Sequence, residues 1–218
     1  AHLEEAGEVP VGFNRGPWFG RMIGGDQAMN LHFCTPSYTS GTKGLQRGHV
    51  LIEPQSQAEF DRMKHQLKGA WVLVGGLNAG WPLPHSAKDD SIRAEQKKEM
   101  EEIAKKNMEI RMKNRMNNTN EPLLKTKEIP GLFYREMVEA GVLGFIQASA
   151  VPIRALYDRP MMNDKSTTFD NLPEICEIKL DENQYAIIKK MAQERREFWL
   201  EFDIRNHFKL GPVKYHNV

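Results

Sequence analysis

No apolar run in this 218-residue sequence approaches the roughly 18–20 residues that a membrane-spanning helix requires. A strong charge of either sign is missing too, because 30 basic residues face 29 acidic ones and the formal net charge is +1. Such a balance provides no global attraction to nucleic acid or to anionic lipid. We therefore expect neither a nucleic acid nor a membrane among the partners of this chain.

Cysteine is scarce, since Cys34 and Cys176 are the only two in the sequence. A dense disulfide scaffold is therefore excluded. The count alone allows either one disulfide or two buried thiols, and the buried thiols are favoured. The first residues, AHLEEAGEVPVGF, lack the basic and apolar regions of a signal peptide, so they do not indicate a compartment.

Sequence motifs for catalysis, metal binding or phosphate binding are also missing. There is no H-E-x-x-H, H-x-D, C-x-x-C or G-x-S-x-G. Two glycine-rich segments, GGDQAMN at 24–30 and VGGLNAGW at 74–81, fit neither a dinucleotide fingerprint nor a P-loop, and they are interpreted as turns. We predict no catalytic, cofactor-binding or metal-ligating residue in this chain.

The histidines and Cys34 leave two weaker alternatives open. Solvated or core-edge positions are favoured for all seven histidines, which are His2, His32, His49, His65, His85, His207 and His216. His207 and His216 could meet on paired strands across the turn expected at Gly211–Pro212. Cys34 with a distant histidine would form a nucleophilic dyad, although any chain with a cysteine and seven histidines permits that.

Glycine and proline dominate the beginning of the chain. GFNRGPWFGRMIGG, which starts at Gly12, holds five glycines and one proline, and TPSYTSGTKG at 35–44 is composed of turn-forming residues. We therefore predict that residues 1 to about 45 are irregular.

Regular structure is predicted from residue 49 onward, in an order that mixes strands and helices. AWVLV within 68–76 and VLGFIQAS at 142–149 are apolar on both faces, as expected of strands covered on both sides. Phe198, Leu200, Phe202, Ile204 and Phe208 alternate with polar residues in the last predicted strand. The other predicted strands are 49–54 and 172–180, and the shorter helices are 56–67, 131–141 and 181–197. This order indicates a mixed α/β or α+β domain.

One long charged helix is predicted from Ser91 to about Asn117. Its lysines and glutamates are interleaved, which is typical of a solvated face with i,i+4 pairs and unlike a nucleic-acid surface. Its methionines recur at multiples of four residues, and we expect this stripe to pack on the rest of the domain or on a partner.

The sequence resembles the protease-associated domain that is inserted in zinc aminopeptidases and carboxypeptidases of the plasma glutamate carboxypeptidase type. The resemblance rests on the order and spacing of five segments over most of residues 35–218. They are TPSYTSGTKGLQRGHVLIEP, LKGAWVLVGG, FYREMVEAGVLGFIQAS, LPEICEIKLDENQYAIIKKMA and FWLEFDIRNHFKLGPVKYHNV. It implies a compact mixed sheet or open sandwich with flanking helices, interrupted here by a helical insertion at about 83–128.

The resemblance also implies a function and a domain organisation. Residues 35–218 would be an accessory domain, without chemistry of its own, that shapes substrate access or protein interaction in a secreted or periplasmic zinc peptidase. Residues 1–34 would lead in from the catalytic domain, which is the expected partner together with a peptide substrate. The zinc would be held by that domain, whose first ligands would follow some twenty residues after Val218. The chain would then be a fragment whose last strand is mobile or unpaired.

A free-standing module that binds a protein or peptide through the helical insertion is the main alternative. A cysteine-dependent enzyme using Cys34 is a third and weaker hypothesis.

Overall fold

The computed structural model describes residues 2–24, 28–153 and 172–217. These residues form two β-sheets with four α-helices, which confirms the predicted mixed α/β class. None of the helices in the described ranges combines the length and the apolar character that crossing a membrane demands.

The first sheet is antiparallel and is built around two long strands. Strand β1 (Glu4–Ile23) and strand β9 (Trp199–Asn217) pair along almost their whole length. Two short strands, β2 (Met29–Asn30) and β4 (Gln46–Gly48), complete the order β2-β1-β9-β4.

The prediction that residues 1 to about 45 are irregular is wrong for Glu4–Ile23, which form β1, and is confirmed for residues 35–45, which contain only turns, bends and irregular backbone. The glycines of β1 act as close-contact positions between neighbouring strands. A Cβ at Gly16 would lie 2.1 Å from the Arg205 carbonyl oxygen, and a Cβ at Gly20 would lie 2.6 Å from the Phe33 ring. Glycine in a strand therefore marks the approach of another backbone or ring here, a use that composition does not distinguish from a turn.

The turn predicted at Gly211–Pro212 is also wrong, since β9 continues through both residues. Val9 pairs with Val213 and Val11 pairs with Leu210, so β9 has one extra residue at this point and the strand bulges. A bulge accommodates Pro212, which has no N–H to donate to the ladder. Of the two alternatives expected for the last strand, mobile or unpaired, the second is wrong, because the backbone of β9 pairs with β1 as far as Asn217.

The second sheet has the order β3-β8-β7-β6-β5. Its four strands β5 (Val50–Ile52), β6 (Trp71–Asn78), β7 (Gly144–Ser149) and β8 (Cys176–Leu180) are parallel, and β3 (Phe33–Cys34) is antiparallel to β8. The four parallel strands confirm the predictions for 49–54, 68–76, 142–149 and 172–180.

Two of the helices begin at the positions that the sequence predicted. Ser56 caps α1 (Gln57–Met63), which a short 3-10 turn (Lys64–Gln66) extends, and Asp181 caps α4 (Glu182–Gln193). Ser86 and Asp89 form a reciprocal capping box at the start of α2 (Ala87–Asn117), four residues before the predicted start. Helix α3 (Tyr134–Glu139) is the shorter core of the helix predicted at 131–141.

The two faces of the second sheet are covered by different layers. One face packs on β9 and on α4, and the Trp71 indole there donates to the Leu200 carbonyl at 3.2 Å and meets the Phe202 ring edge to face at 4.8 Å. The other face packs on α1 and α3 through Val72, Val74, Phe133, Met137 and Phe145. The second sheet is therefore the middle layer of the domain.

The distal methionines of α2 do not pack on the rest of the domain within the described residues, which rules out one of the two packing partners predicted for this stripe. Met108, Met112 and Met116 are 61%, 55% and 79% exposed, and the residues of α2 that are buried are Arg93 and Asn107. Polar contacts hold this helix instead, because Lys97 pairs with Glu136 and Asn107 bonds the backbone of Leu124.

Both cysteines occur as buried thiols, the arrangement that the sequence favoured. Cys34 lies on β3, where it pairs in register with Lys179. Burial raises the pKa of the Cys176 thiol well above its usual range, and the carboxylate of Glu177 acts in the same direction.

Candidate functional site

A cleft of about 490 Å³ lies beside α3, between the loop that follows β6 and the segment that precedes β8. A volume of this size is within the range of about 300–1,000 Å³ that ligand sites occupy. The residues that line it are Tyr38, Trp81, Pro82, Leu83, Pro84, His85, Ser86, Ala87, Asp89, Tyr134, Arg135, Val138, Leu172, Pro173 and Glu174.

Hydrogen bonds from side chains to the backbone shape the loop wall of the cleft, residues 79–86. Asn78 starts it with an Asx turn, since its side-chain oxygen accepts from the Gly80 N–H at 2.7 Å and its amide donates to the Trp81 carbonyl at 2.9 Å. Nδ1 of His85 lies 3.0 Å from the Leu83 carbonyl oxygen, and because a carbonyl can only accept, Nδ1 carries the proton. The prediction that the segment 74–81 is a turn is wrong for residues 74–78, which belong to β6, and holds only for residues 79–81.

Arginines tie this loop to α2 and α3. Arg135 donates to the His85 carbonyl at 3.0 Å and to Asp90 at 2.9 Å, and Arg93 donates to the Pro84 carbonyl and to Asp90. The hydrogen bond to Asp90 raises the pKa of Arg135 further above its usual range. Both guanidinium groups are charged and form hydrogen bonds with the loop and with Asp90, so they hold the cleft wall in place.

Glu177 is the buried acid beneath the cleft. It is 2% exposed, and its Oε2 accepts the Leu83 N–H at 2.7 Å. Within the part of the chain that the structure describes, its Oε1 has no hydrogen-bond partner. Burial raises the pKa of Glu177 to about 8, against the opposing effects of the Leu83 N–H and of Arg93, so the carboxyl group is mostly protonated at pH 7.

Tyr134 lines the cleft. Its ring lies 5.1 Å from the Arg93 guanidinium and 5.1 Å from the Phe145 ring. Burial raises the pKa of the phenol well above its usual range, and Glu177 adds to that effect. The hydroxyl is therefore a neutral hydrogen-bonding group at physiological pH.

A second buried acid, Glu53, lies at the carboxyl end of β5. Its Oε1 accepts the Gly75 N–H and its Oε2 accepts the Gly131 N–H, each at 2.7 Å. Burial raises the pKa of Glu53 to about 7, although the two N–H bonds oppose the shift. Both oxygens are occupied by backbone donors, so Glu53 is a clamp that joins β6 to the loop before α3.

The residues that the sequence singled out are not brought together in the described ranges. His207 and His216 lie on the same strand, paired with Asn14 and Glu5 respectively, and so do not face each other across a turn. In residues 2–24, 28–153 and 172–217, no three His, Cys, Asp or Glu side chains are grouped so that they could hold a metal ion. Part of the segment GGDQAMN, residues 25–27, lies outside the described residues.

Glu53, Glu177 and Tyr134 were missed by reasoning from sequence. The signal for Glu177 was present in EICEIKL, where Glu177 and Lys179 alternate with apolar residues. Alternation normally predicts a solvent-facing polar side, but a parallel strand inside a covered sheet has no such side. Both residues are accordingly buried, at 2% and 1% exposure.

No family model matches the sequence, and no curated protein matches it. Solved structures similar to this chain include a peptidase M28 precursor from Shewanella amazonensis SB2B, with a TM-score of 0.49 and 9% identity over 99% of this chain and 40% of that one. They also include an aminopeptidase from Aneurinibacillus sp. strain AM-1, with a TM-score of 0.47 and 7% identity over 99% of this chain and 37% of that one. The chain spans about two-fifths of the length of each of these peptidases.

Proposed function

We propose that this chain is an accessory domain of the protease-associated type, belonging to a secreted or periplasmic zinc-dependent amino- or carboxypeptidase. Its role is to shape the access of substrate or the binding of a protein, and the zinc and the chemistry belong to the catalytic domain of the parent enzyme. The described residues contain no group of three His, Cys, Asp or Glu side chains that could hold a zinc ion.

The ribbon formed by β1 and β9 is the observation that carries the proposal. Arg21 pairs with Glu201 at one end and Glu4 pairs with Asn217 at the other, so the chain enters and leaves the second sheet along one two-stranded path. A domain inserted in a loop of another domain requires neighbouring entry and exit segments. The five segments that resemble the protease-associated domain also support the proposal, because three of them form the adjacent strands β6, β7 and β8.

The cleft supports a binding role for the domain. Trp81 is 39% exposed at its rim, and Arg135 and Glu174 offer charges of both signs. An aromatic rim with mixed charges suits the backbone and the terminal groups of a peptide. We therefore infer that peptide segments of the substrate or of the parent enzyme occupy this cleft.

Zinc content and peptidase activity test the non-catalytic role. We expect the purified chain, supplied with zinc and then desalted, to hold less than one zinc ion per molecule by elemental analysis and to leave aminoacyl-nitroanilide substrates intact. One or two bound zinc ions together with hydrolysis would overturn the proposal. The coding sequence beyond Val218 offers a further test, because the proposal requires a histidine and an aspartate two residues apart soon after it.

Peptide binding tests the role of the cleft. We expect a panel of short peptides with free termini to quench the fluorescence of Trp81, and the Arg135→Ala variant to bind them at least about tenfold more weakly. Arg62→Ala, at an exposed arginine of α1, is the control. Equal binding by wild type and Arg135→Ala would remove the cleft from the proposal.

A free-standing binding module is the second candidate, and the exposed methionines of α2 favour it. It predicts that this chain binds a protein partner with full affinity in the absence of any catalytic domain. A parent gene that encodes a zinc peptidase around residues 1–218 would decide against it.

A further inference from the structure

A line of side chains at four-residue intervals runs along α2. Met108, Met112 and Met116 form its distal part, and each is more than half exposed. Residues spaced by four along a helix form one of the two types of surface ridge that pack into grooves of another helix. The line is therefore a preformed helix-packing surface that the described residues of this chain leave open.

The opposite side of the same helix is already occupied. The Asn107 side chain exchanges two hydrogen bonds with the Leu124 backbone, at 3.0 Å and 2.7 Å, and Asn114 does the same with Glu121, at 2.9 Å and 2.8 Å. Asn107 and Asn114 are seven residues apart and share one side, whereas Met112 is about 140° away around the helix. The returning chain thus covers the asparagine side and leaves the methionine ridge outside.

The distal half of α2 carries a marked positive charge. Between Ala104 and Asn117 there are five basic residues and one acidic residue, and the basic ones are Lys105, Lys106, Arg111, Lys113 and Arg115. All five are exposed, and no ion pair joins any of them to a carboxylate within the part of the chain that is described. Three-residue spacing places Lys105 and Arg111 next to Met108, Arg115 next to Met112, and Lys113 next to Met116.

We propose that this surface, Met108–Met112–Met116 with its border of cations, docks an acidic amphipathic α-helix of a partner protein. The ridge fits a helix that crosses α2 at about −50°, the angle at which four-spaced ridges of two helices interdigitate. Acidic residues beside the apolar ridge of the partner would pair with the cations of α2, and the inference holds for an accessory domain and for a free-standing module alike.

Three features favour a helix of a protein over a lipid surface. Residues 104–117 contain no aromatic side chain, whereas helices that lie in a membrane interface typically use Trp, Phe and Leu on the buried face. Methionine is unbranched and polarizable, and it is common on surfaces that receive helices of partner proteins. The ridge is also one residue wide, which suits a crossing helix better than a flat bilayer.

Synthetic peptides provide the test. The probe is a panel of labelled acidic amphipathic helices with leucines at four-residue intervals and glutamates beside them, measured by fluorescence anisotropy. We expect a Kd below about 1 mM at low salt. The variant Met108→Gln/Met112→Gln/Met116→Gln should bind at least about tenfold more weakly, because it keeps side-chain length and helix propensity but loses the apolar ridge. Ile92→Gln, at an exposed apolar residue of the same helix, should bind like wild type.

Four outcomes would contradict the proposal. Circular dichroism first establishes that the triple variant keeps its helix content. Unchanged binding by that variant, stronger binding of a panel in which lysine replaces glutamate, or no binding of any acidic peptide would each overturn the proposal. So would binding of phosphatidylserine vesicles without binding of the peptides, because the occupant would then be a lipid surface.

Discussion

The backbone N–H of Leu83 donates a hydrogen bond of 2.7 Å to Oε2 of Glu177, a carboxyl group that is 2% exposed. This bond joins the loop wall of the cleft to strand β8 of the second sheet. It also leaves Oε1 of Glu177 without a partner among the described residues. The shape of the cleft therefore depends on a group whose charge state changes near physiological pH.

The first prediction concerns the pH dependence of stability. The pKa of Glu177 is about 8 in the folded protein, above its ordinary value of 4.5, so the folded state holds the proton more tightly than the unfolded chain. The resulting stabilisation is complete below about pH 4.5 and is lost as the pH rises through about 8. We expect the free energy of unfolding, measured with urea, to fall by about 1–3 kcal/mol between pH 5 and pH 9.

Glu177→Gln checks this assignment, because an amide cannot ionise. The pH dependence should become shallower in Glu177→Gln and remain unchanged in Glu174→Gln, which alters an exposed acid three residues earlier. A residual slope is expected from Glu53, whose pKa is about 7. A slope that is identical in wild type and Glu177→Gln would show that Glu177 titrates elsewhere.

The second prediction compares the two buried acids. Both oxygens of Glu53 accept backbone N–H groups, so Glu53→Gln places an amide NH₂ against a donor and costs about 1–3 kcal/mol of unfolding free energy. Glu177→Gln can keep its one acceptor bond and should cost less. Urea unfolding at pH 7 measures how much unfolding free energy each variant loses. A larger loss for Glu177→Gln than for Glu53→Gln would contradict the interpretation of Glu53 as a clamp.

The third prediction concerns the contact between the two sheets. Trp71 is fully buried, and its indole donates to the Leu200 carbonyl. We expect Trp71→Ala to lose about 3–5 kcal/mol of unfolding free energy through the cavity and the lost bond. Trp81→Ala, at the half-exposed rim of the cleft, should lose less than about 0.5 kcal/mol. Similar losses for both tryptophans would mean that Trp71 does not join the layers.

The fourth prediction concerns the segment that returns along α2. Asn107→Ala removes both bonds to the Leu124 backbone, so the nearby Lys125 and Lys127 should be cut faster by trypsin while global stability changes little. Asn120→Ala, at an exposed position of the same segment, is the control. Protection of this segment that is equal in Asn107→Ala and wild type would show that other contacts hold it.

The parallel half of the fold could be predicted from the sequence, because β6 and β7 are apolar on both faces and α4 has a clear cap and stripe. Strand β1 could not, since its glycines are required by contacts with residues about 180 positions away, such as Phe202 against Gly20. The sequence could not decide between the two packing partners expected for the α2 methionines, because a periodic apolar line indicates a packing surface and does not say whether this chain supplies the other half.

The cleft could not be predicted from the sequence, for another reason. Its lining comes from segments that are far apart in the chain, and its buried acid lies on a strand whose alternating pattern normally indicates solvent exposure. The burial of Glu177 is decided by the loop and helices that cover β8, and covering layers are a property of the assembled fold.

The long pairing of β1 with β9 has a consequence for synthesis. The ion pair between Arg21 and Glu201 joins positions 180 residues apart, so β1 emerges from the ribosome well before the strand it needs. High contact order slows folding, and an unpaired strand edge invites aggregation while the nascent chain grows. We expect β1 to be a preferred client site for chaperones during translation, and the closing of this ribbon to be the last step of folding.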